Sequence, residues 1–334
     1  MRVLIVGGTG LISRGIVKHL LARNAEVTMF NRGERENTLP PSVKAIHGDR
    51  NDPASFEGQL RDQRFDVVID MICFTPQQAE ATVRAFGGRC EQLIFCSTVC
   101  TYSPQIPNRV AIDETFEQKP ITQYGKDKLV CEGIFNRAHE GRKFNVTTIR
   151  PSCTYGEGNP LIDNIEFNAV AWDRMERGLP VICSGDGLGL WVCTHRDDCG
   201  KLFAYSALNT KTYGEAYNAT HDRNFTWRDF YREGAAIFGK KAQLIFMPAQ
   251  WIYKHDTKRF SIVDGITQYH GAFDSSKAKK AVPEFTCGIN WQTGAAVTIE
   301  DVKRRGKWRT SDGDAVYESM INKALAAGVE PIEA

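Results

Sequence analysis

Residues Val3-Leu4-Ile5-Val6-Gly7-Gly8-Thr9-Gly10-Leu11-Ile12-Ser13 constrain this chain more than any other stretch. A short run of branched apolar residues reads as a buried strand. It breaks into glycines and resumes with apolar residues at Leu11, Ile12, Ile16, Val17, Leu20 and Leu21, one face of a helix. A parallel strand feeding a helix in this way leaves the first helical N–H groups unpaired at the positive end of the helix dipole. Glycines at that turn let a pyrophosphate approach the backbone. Gly7, Thr9, Gly10, Leu11 and Ile12 are therefore candidate dinucleotide contacts. Ser13 stands where a third glycine would be, small enough for helix and strand to touch.

Strand-like and helix-like segments alternate through the first half. Strands are expected at Val3–Val6, Glu26–Phe30, Val43–Ile46, Phe65–Met71, Gln92–Cys96 and Val146–Ile149. Helices are expected around Pro53–Leu60, Pro76–Phe86 and Tyr124–Arg137. That alternation predicts an α/β fold with a doubly wound parallel sheet. After Arg150-Pro151 the loops lengthen, as in 156–160 and 184–187, and helices are expected at Ile165–Arg177 and Trp227–Phe238. The second opens on the cap-like Thr226-Trp227-Arg228-Asp229 and stops at Gly239. The expected division is a dinucleotide-binding part over 1–150 and a smaller substrate lobe over 151–334, with some segments returning to the first.

The bulk properties exclude several classes. A chain of 334 residues can bury one large core and a smaller one. A net charge of +2 calls for neither nucleic acid nor an anionic membrane. Apolar runs are strand-sized, well short of the roughly 20 residues that span a bilayer, and the start lacks the apolar length of a secretory signal. Ten cysteines show no CxxC pair and no metal-like grouping with His, so reduced core thiols in a cytosolic protein are expected, with no metal site.

Strand two ends in Phe30-Asn31-Arg32-Gly33. NAD-selective sites place a carboxylate here for the ribose 2′-hydroxyl, whereas an arginine accommodates a 2′-phosphate. Asn31 stands at the acid's position and Arg32 follows, so the expected cofactor is NAD(P), with NADP favoured over NAD. After strand three, Gly48-Asp49-Arg50 offers Asp49 to the adenine amino group, with Arg50 beside it.

Tyr124 and Lys128 lie four apart on one helical face. A phenol of pKa about 10 is a poor base at neutral pH, and each unit of depression requires about 1.4 kcal/mol. A lysine one turn away and a charged nicotinamide would supply it. Tyr124 could then exchange a proton with a substrate hydroxyl. A hydroxyl donor is expected from the strand ending at Cys96-Ser97-Thr98.

These motifs resemble the extended short-chain dehydrogenase/reductase superfamily, in its NAD-dependent epimerase/dehydratase branch, which has a Rossmann-type sheet and a C-terminal substrate lobe. The similarity runs from residue 1 to about 300. It rests on Gly7-Gly8-Thr9-Gly10, Ser97-Thr98 with Tyr102, Tyr124 with Lys128, Arg150-Pro151 with Tyr155-Gly156, Gly185-Asp186-Gly187 before His195-Arg196-Asp197-Asp198, and Phe273-Asp274-Ser275-Ser276-Lys277-Ala278. The resemblance implies Thr98, four residues before Tyr102, as the catalytic hydroxyl rather than Ser97. It implies Tyr124 as acid/base and Lys128 as ribose anchor, and a homodimer paired through the Tyr124 helix and the one before it, with Leu129, Val130, Ile134 and Phe135 compatible.

Departures from the family pattern narrow the expectation. Val99-Cys100 replace the Asp-Glu pair that dehydratases use. Trp191 stands where diphosphate-binding relatives carry arginine, and Cys153 where they carry asparagine, which removes anion-binding groups. The expected substrate is sugar-like and small, oxidised or epimerised at a secondary hydroxyl, with Phe74, Thr98, Cys153 and Trp191 against it. Asp70, Cys73 and Phe74 are expected to line the nicotinamide pocket. His195 is expected to organise a strand-to-loop junction, and most tryptophans to be core. A one-way ketoreductase is the alternative. The Phe30–Gly33 turn also resembles the chloroplast stem-loop RNA-binding branch, for which Lys303, Arg304, Arg305, Lys307 and Arg309 would be the basic surface. Near-neutral charge argues against that reading.

Overall fold

A computed structural model describes residues 1–34, 39–103, 111–159 and 161–334. Pro160, at the end of the first long loop, lies outside them. In chain order the first half runs β1 (Arg2–Val6), α1 (Leu11–Ala22), β2 (Glu26–Asn31), β3 (Lys44–His47), α2 (Pro53–Leu60), β4 (Val67–Asp70), α3 (Pro76–Phe86), β5 (Gln92–Cys96), α4 (Gln123–Glu140) and β6 (Asn145–Pro151). There follow β7 (Cys153–Tyr155), α5 (Val170–Glu176), β8 (Val181–Ser184), β9 (Leu190–Trp191), β10 (Cys193–His195), α6 (Arg196–Ser206) and β11 (Glu215–Ala219). The chain ends with β12 (Phe225–Thr226), α7 (Trp227–Ile237), β13 (Gln243–Met247), α8 (Ala249–His255), α9 (Ser276–Ala281), α10 (Trp291–Arg304), α11 (Ala315–Ala326) and β14 (Ile332–Glu333).

The central sheet has seven strands in the order β11-β6-β5-β4-β1-β2-β3. Every pairing within it is parallel. This is the Rossmann-type α/β architecture expected, and both faces of the sheet are covered. Alternation along β1 shows how: Val3 and Ile5 pack with Ile16, Leu20 and Phe203 on the α1/α6 side, while Leu4 and Val6 pack with Phe56, Phe86 and Phe135 on the α2–α4 side. Gly15 and Gly200 bring α1 and α6 together, since a Cβ on either would run into the other helix's backbone.

Capping chemistry sets the helix starts. Asp52 accepts from the Ser55 N–H, Thr122 from Gly125, and Thr75 and Thr226 close reciprocal capping boxes with Gln78 and Asp229. The helix expected over Ile165–Arg177 is shorter, beginning at Val170. The Asp163 carboxylate takes the N–H groups of Ile165 (2.6 Å) and Glu166 (3.0 Å), and Asn168 Oδ1 takes that of Val170 (2.8 Å). Local side-chain acceptors thus replace the helical ladder until Val170.

Strand β11 returns to the edge of the central sheet beside β6. Helices α6 and α9 also pack against the sheet, through residues such as Phe203 and Ala278, and other second-half residues form two cores of their own. One is aromatic, around Trp172, Trp227, Phe230 and Trp291; the other joins Ile165, Ile182, Ile245 and Tyr317. All ten cysteines are free thiols.

Candidate active site

Two cavities meet at the carboxyl ends of the sheet strands. A groove of about 300 Å³ is lined by Gly7, Thr9, Gly10, Asn31, Arg32, Asp49, Arg50, Phe74 and neighbours. A chamber of about 330 Å³ is lined by residues including Ile12, Thr98, Tyr124, Cys153, Trp191 and Phe273. They adjoin where the Phe74 ring, in the groove, stands 6.5 Å from the Tyr124 ring, in the chamber.

The groove suits a dinucleotide. Helix α1 starts at Gly10 with no side-chain cap and no acid in its first turn, unlike the capped α2, α3, α4 and α7. Its leading N–H groups are thus left for an anion. Gly7 has φ +94°, and a Cβ there would stand 2.6 Å from Ile72. Ser13 is buried and its hydroxyl donates to the Gly7 carbonyl at 2.9 Å, tying the turn to the helix. Asn31 Oδ1 accepts the Gly33 N–H at 2.8 Å and holds the β2 turn; Arg32 projects outward, 2.9 Å from Glu34. Asp49 accepts from the Asn51 N–H at 2.8 Å on the groove wall.

Several expected residues stand elsewhere. Ile12 faces the chamber rather than the groove, because the helix turns it toward the β5 end. Leu11 opens α1 but lines neither cavity. Arg50 is committed inward. Its guanidinium lies 3.0 Å from Asp70, donates to the Gln78 carbonyl and the Thr82 hydroxyl, and covers the Phe56 ring. Asp70, expected at the nicotinamide, is the fully buried partner of that pair. Cys73 is likewise buried, its thiol 3.9 Å from that of Cys131. Phe74 lines the groove, not the substrate chamber.

On the chamber wall, Thr98 Oγ1 accepts the Cys100 N–H at 3.1 Å, capping a short 3₁₀ turn and fixing the hydroxyl at the end of β5. Tyr124 sits in the first turn of α4. Although Tyr124 is 43% exposed, desolvation of the phenol by its neighbours raises its pKa above the ordinary value, Cys96 and Cys100 add to the rise, and a hydrogen bond from Thr98 opposes it. The expected lysine effect is absent from this balance. Lys128 is buried and its ammonium donates to the Cys96 carbonyl at 2.6 Å, with the Phe74 ring 4.7 Å away and the Tyr124 ring 5.9 Å. In this state the phenol is held protonated.

Ser97 faces away from the chemistry into a buried polar chain. Its hydroxyl donates to Glu132, which Arg150 grips through Nε (2.9 Å) and Nη2 (2.7 Å). Arg150 also donates to the Tyr102 hydroxyl, which donates to Asn218 at 2.8 Å. Glu132 and Asn218 were not anticipated. Glu132 lies one helical turn beyond Lys128 on the same face, a spacing that could have pointed to it; Asn218, on β11, left no local signal.

Trp191 stacks on Trp227 (centroids 4.7 Å apart, planes at 28°), and Cys153 sits opposite Cys193 in the β7–β10 pair, both at the chamber wall. Trp172 and Trp227 are core, and Trp251 packs on His255. His195 caps α6 by accepting the Asp197 N–H and lies 3.5 Å from Glu157, as expected of a junction residue. Among the described residues the chamber lining includes no Asp, Glu, Lys or Arg. The basic cluster is largely neutralised: Lys303 pairs with Glu176, Arg304 and Arg305 with Asp301, and Arg309 with Asp314.

A profile for the NAD dependent epimerase/dehydratase family matches residues 3–220. The chain belongs to that family. Its family relatives include a 2'-dehydrokanamycin reductase of Streptomyces kanamyceticus, 26% identical over 75% of this chain and 70% of that protein. The chloroplast stem-loop binding protein of 41 kDa b from Arabidopsis thaliana is 27% identical over 68% of this chain. A UDP-glucose 4-epimerase of Lactobacillus helveticus is 25% identical over 52%. The matched stretch spans only 60% and 61% of those last two proteins. In fold, the UDP-glucuronic acid 4-epimerase from Bacillus cereus, solved with UDP-glucuronic acid and NAD, superposes with a TM-score of 0.73 at 18% identity, covering 91% of this chain and 100% of that one. No described helix is long and apolar enough to cross a membrane. The chain is an NAD-dependent enzyme of the short-chain dehydrogenase/reductase type with epimerase and reductase relatives.

Proposed function

We propose that this enzyme interconverts a secondary hydroxyl and a ketone on a sugar-like substrate that carries no nucleoside diphosphate. Tyr124 serves as acid/base, Thr98 fixes the reacting oxygen, and Lys128 anchors the ribose of a nicotinamide cofactor. The observation that carries this reading is the pairing of the Thr98 and Tyr124 hydroxyls on the wall of a chamber without a charged Asp, Glu, Lys or Arg among its described residues. A diphosphate buried there would lack a cation to offset its desolvation.

The groove residues Gly7, Thr9 and Gly10 would hold the pyrophosphate, Asp49 the adenine, and Arg32 a 2′-phosphate, so NADP is the preferred form. Bound nicotinamide supplies or accepts a hydride. Everything else falls to the chain. Thr98, one lone pair engaged by the Cys100 N–H, would turn its hydrogen from the Tyr124 phenol to the substrate oxygen. Tyr124, held protonated by burial, gives its proton to that oxygen as a ketone becomes an alcohol. Reduction is the direction we favour, in keeping with the reductase named in Streptomyces kanamyceticus. The UDP-glucose 4-epimerase relatives favour a second reading, in which oxidation and reduction alternate on one carbon without net turnover of nicotinamide. Incubating the protein with keto-sugars and NADPH separates the two: net loss of NADPH absorbance supports the reductase, and interconversion of stereoisomers without it supports the epimerase.

The ten free thiols suit a reducing compartment, and we place the protein in the cytosol. A homodimer through α3 and α4 would bury Val130, which is 49% exposed; Phe135 is excluded from that role because it packs inside against Phe95 at 4.9 Å. Light scattering at micromolar concentration, compared with Val130→Asp, tests the pairing.

A further inference from the structure

A further cavity, of about 400 Å³, lies beside the chamber and shares Ile121, Thr122, Gly265 and Tyr269 with it. It adds Tyr253, Ser261 and Asp264 to those shared walls. The partition between the two spaces is the π-helical turn Val263–Thr267, a geometry often found at functional sites. The turn's periodicity divides its residues. Ile262 and Ile266 face the chamber, Ser261 and Asp264 the vestibule, and Gly265 both. Gly265 passes so close to the α4 cap that a Cβ there would stand 2.8 Å from Thr122 Cγ2. The vestibule therefore reaches within two residues of Tyr124 along the chain and shares a wall with the reacting space.

The two spaces differ in chemistry. The chamber offers hydroxyls and apolar walls, with the half-exposed Phe167 ring at its edge. The vestibule offers a carboxylate, two phenols and an aliphatic hydroxyl. Asp264 is half-buried, and its Oδ1 accepts from the neutral Gln250 Nε2 at 3.0 Å. No cation pairs with it among the described residues. An unpaired carboxylate flanked by tyrosines, adjoining an uncharged chamber, suits a cationic polyol.

We propose that the vestibule is a second saccharide subsite, which binds an amino-bearing ring of a glycoside whose neighbouring ring occupies the chamber. Asp264 accepts hydrogen bonds from that ring's ammonium, and Tyr253 and Tyr269 line its apolar face. The proposal rests on the sugar-like reading of the chamber and extends it to a substrate of at least two rings, one of them cationic.

Calorimetric titration of the full-length protein with β-1,4-linked diglucosamine, cellobiose and glucosamine tests it. Diglucosamine is expected to bind at least tenfold tighter than either of the other two, by an amount that shrinks with added salt. Asp264→Asn should bring diglucosamine and cellobiose to within twofold of each other, whereas Asp264→Glu, which keeps the charge, should preserve most of the preference. Tyr253→Ala should weaken both disaccharides together. Equal binding of diglucosamine and cellobiose by the native protein, no measurable binding of either, or a preference untouched by Asp264→Asn would overturn the subsite. Tyr124→Phe keeps the two readings apart, because it should leave this binding pattern intact. Hydride transfer that survives Tyr124→Phe would sink the proposed chemistry and leave the subsite standing.

Discussion

Glu132 offers the sharpest structural perturbation. Its carboxylate is buried between α4, which carries Tyr124 and Lys128, and the end of β5, which carries Thr98. It receives two guanidinium bonds from Arg150, at 2.9 and 2.7 Å, one from Ser97, and one from Gln118 at 3.0 Å. Both ion-pair partners are almost fully buried, with side-chain exposures of 5% for Arg150 and 4% for Glu132. Glu132→Gln preserves size but leaves the Arg150 charge uncompensated in a low-dielectric interior. Breaking such a pair from one side costs about 3–5 kcal/mol. Arg150→Met should cost a similar amount, by stranding the carboxylate. The double variant Glu132→Gln/Arg150→Met should be less destabilised than the sum of the singles, by at least about 1 kcal/mol, since no lone charge is left. Urea unfolding followed by fluorescence and far-UV circular dichroism, with coincident transitions required, measures all three. A loss below about 1 kcal/mol for Glu132→Gln, or strict additivity in the double variant, would refute the claim that this pair joins α4 to β6.

Further outcomes follow from the groove and from the buried thiols. Glu34→Gln should free Arg32 and tighten NADP without tightening NAD, while Arg32→Asp should weaken NADP by about 1.5–3 kcal/mol, the value of a charge-assisted hydrogen bond; fluorescence titration of both cofactors checks the pair, and native preference for NAD would contradict it. Burial pushes Cys96 up to about 11 and Cys90 and Cys287 up to about 12, so above pH 9 the unfolded chain binds fewer protons than the folded one. Stability should be complete below about pH 9 and fall as pH rises through 11 to 12; thermal melts across that range that stay flat would contradict the burial of these thiols. Because burial also raises Tyr124, the rate of reduction should stay level from pH 7 to 9, whereas alcohol oxidation, which needs the phenolate, should climb with pH.

Local chemistry made most of the first half legible. The helices expected at Pro53–Leu60 and Pro76–Phe86 stand there, held at their starts by Asp52 and by Thr75 with Gln78, and in the second half the cap-like Thr226 with Asp229 marks the start of α7. The apolar spacing over Ile165–Arg177 misled because Asp163 and Asn168 offer the backbone competing acceptors, which periodicity does not weigh. The site divides in the same way. Thr98 and Tyr124 are carried by short motifs and line one chamber. The buried polar chain behind them is assembled from far along the chain: Arg150 reaches Glu132 across 18 residues, and Tyr102 reaches Asn218 across 116. Lys128 shows the same limit. Its spacing from Tyr124 was plain, but its ammonium lies at the Cys96 carbonyl of a neighbouring strand, a contact no spacing rule contains.

The central claim is that Tyr124 moves the proton at a ketone or alcohol carbon of a sugar-like substrate. Single-turnover hydride transfer from NADPH, followed at 25 °C with the keto-sugar the native protein reduces fastest, tests it through Tyr124→Phe. The variant removes one oxygen and little shape, so the cofactor dissociation constant should stay within about twofold while the transfer rate falls about 10²–10⁴-fold. A native transfer rate in Tyr124→Phe, with the cofactor bound as tightly as before, would contradict the account.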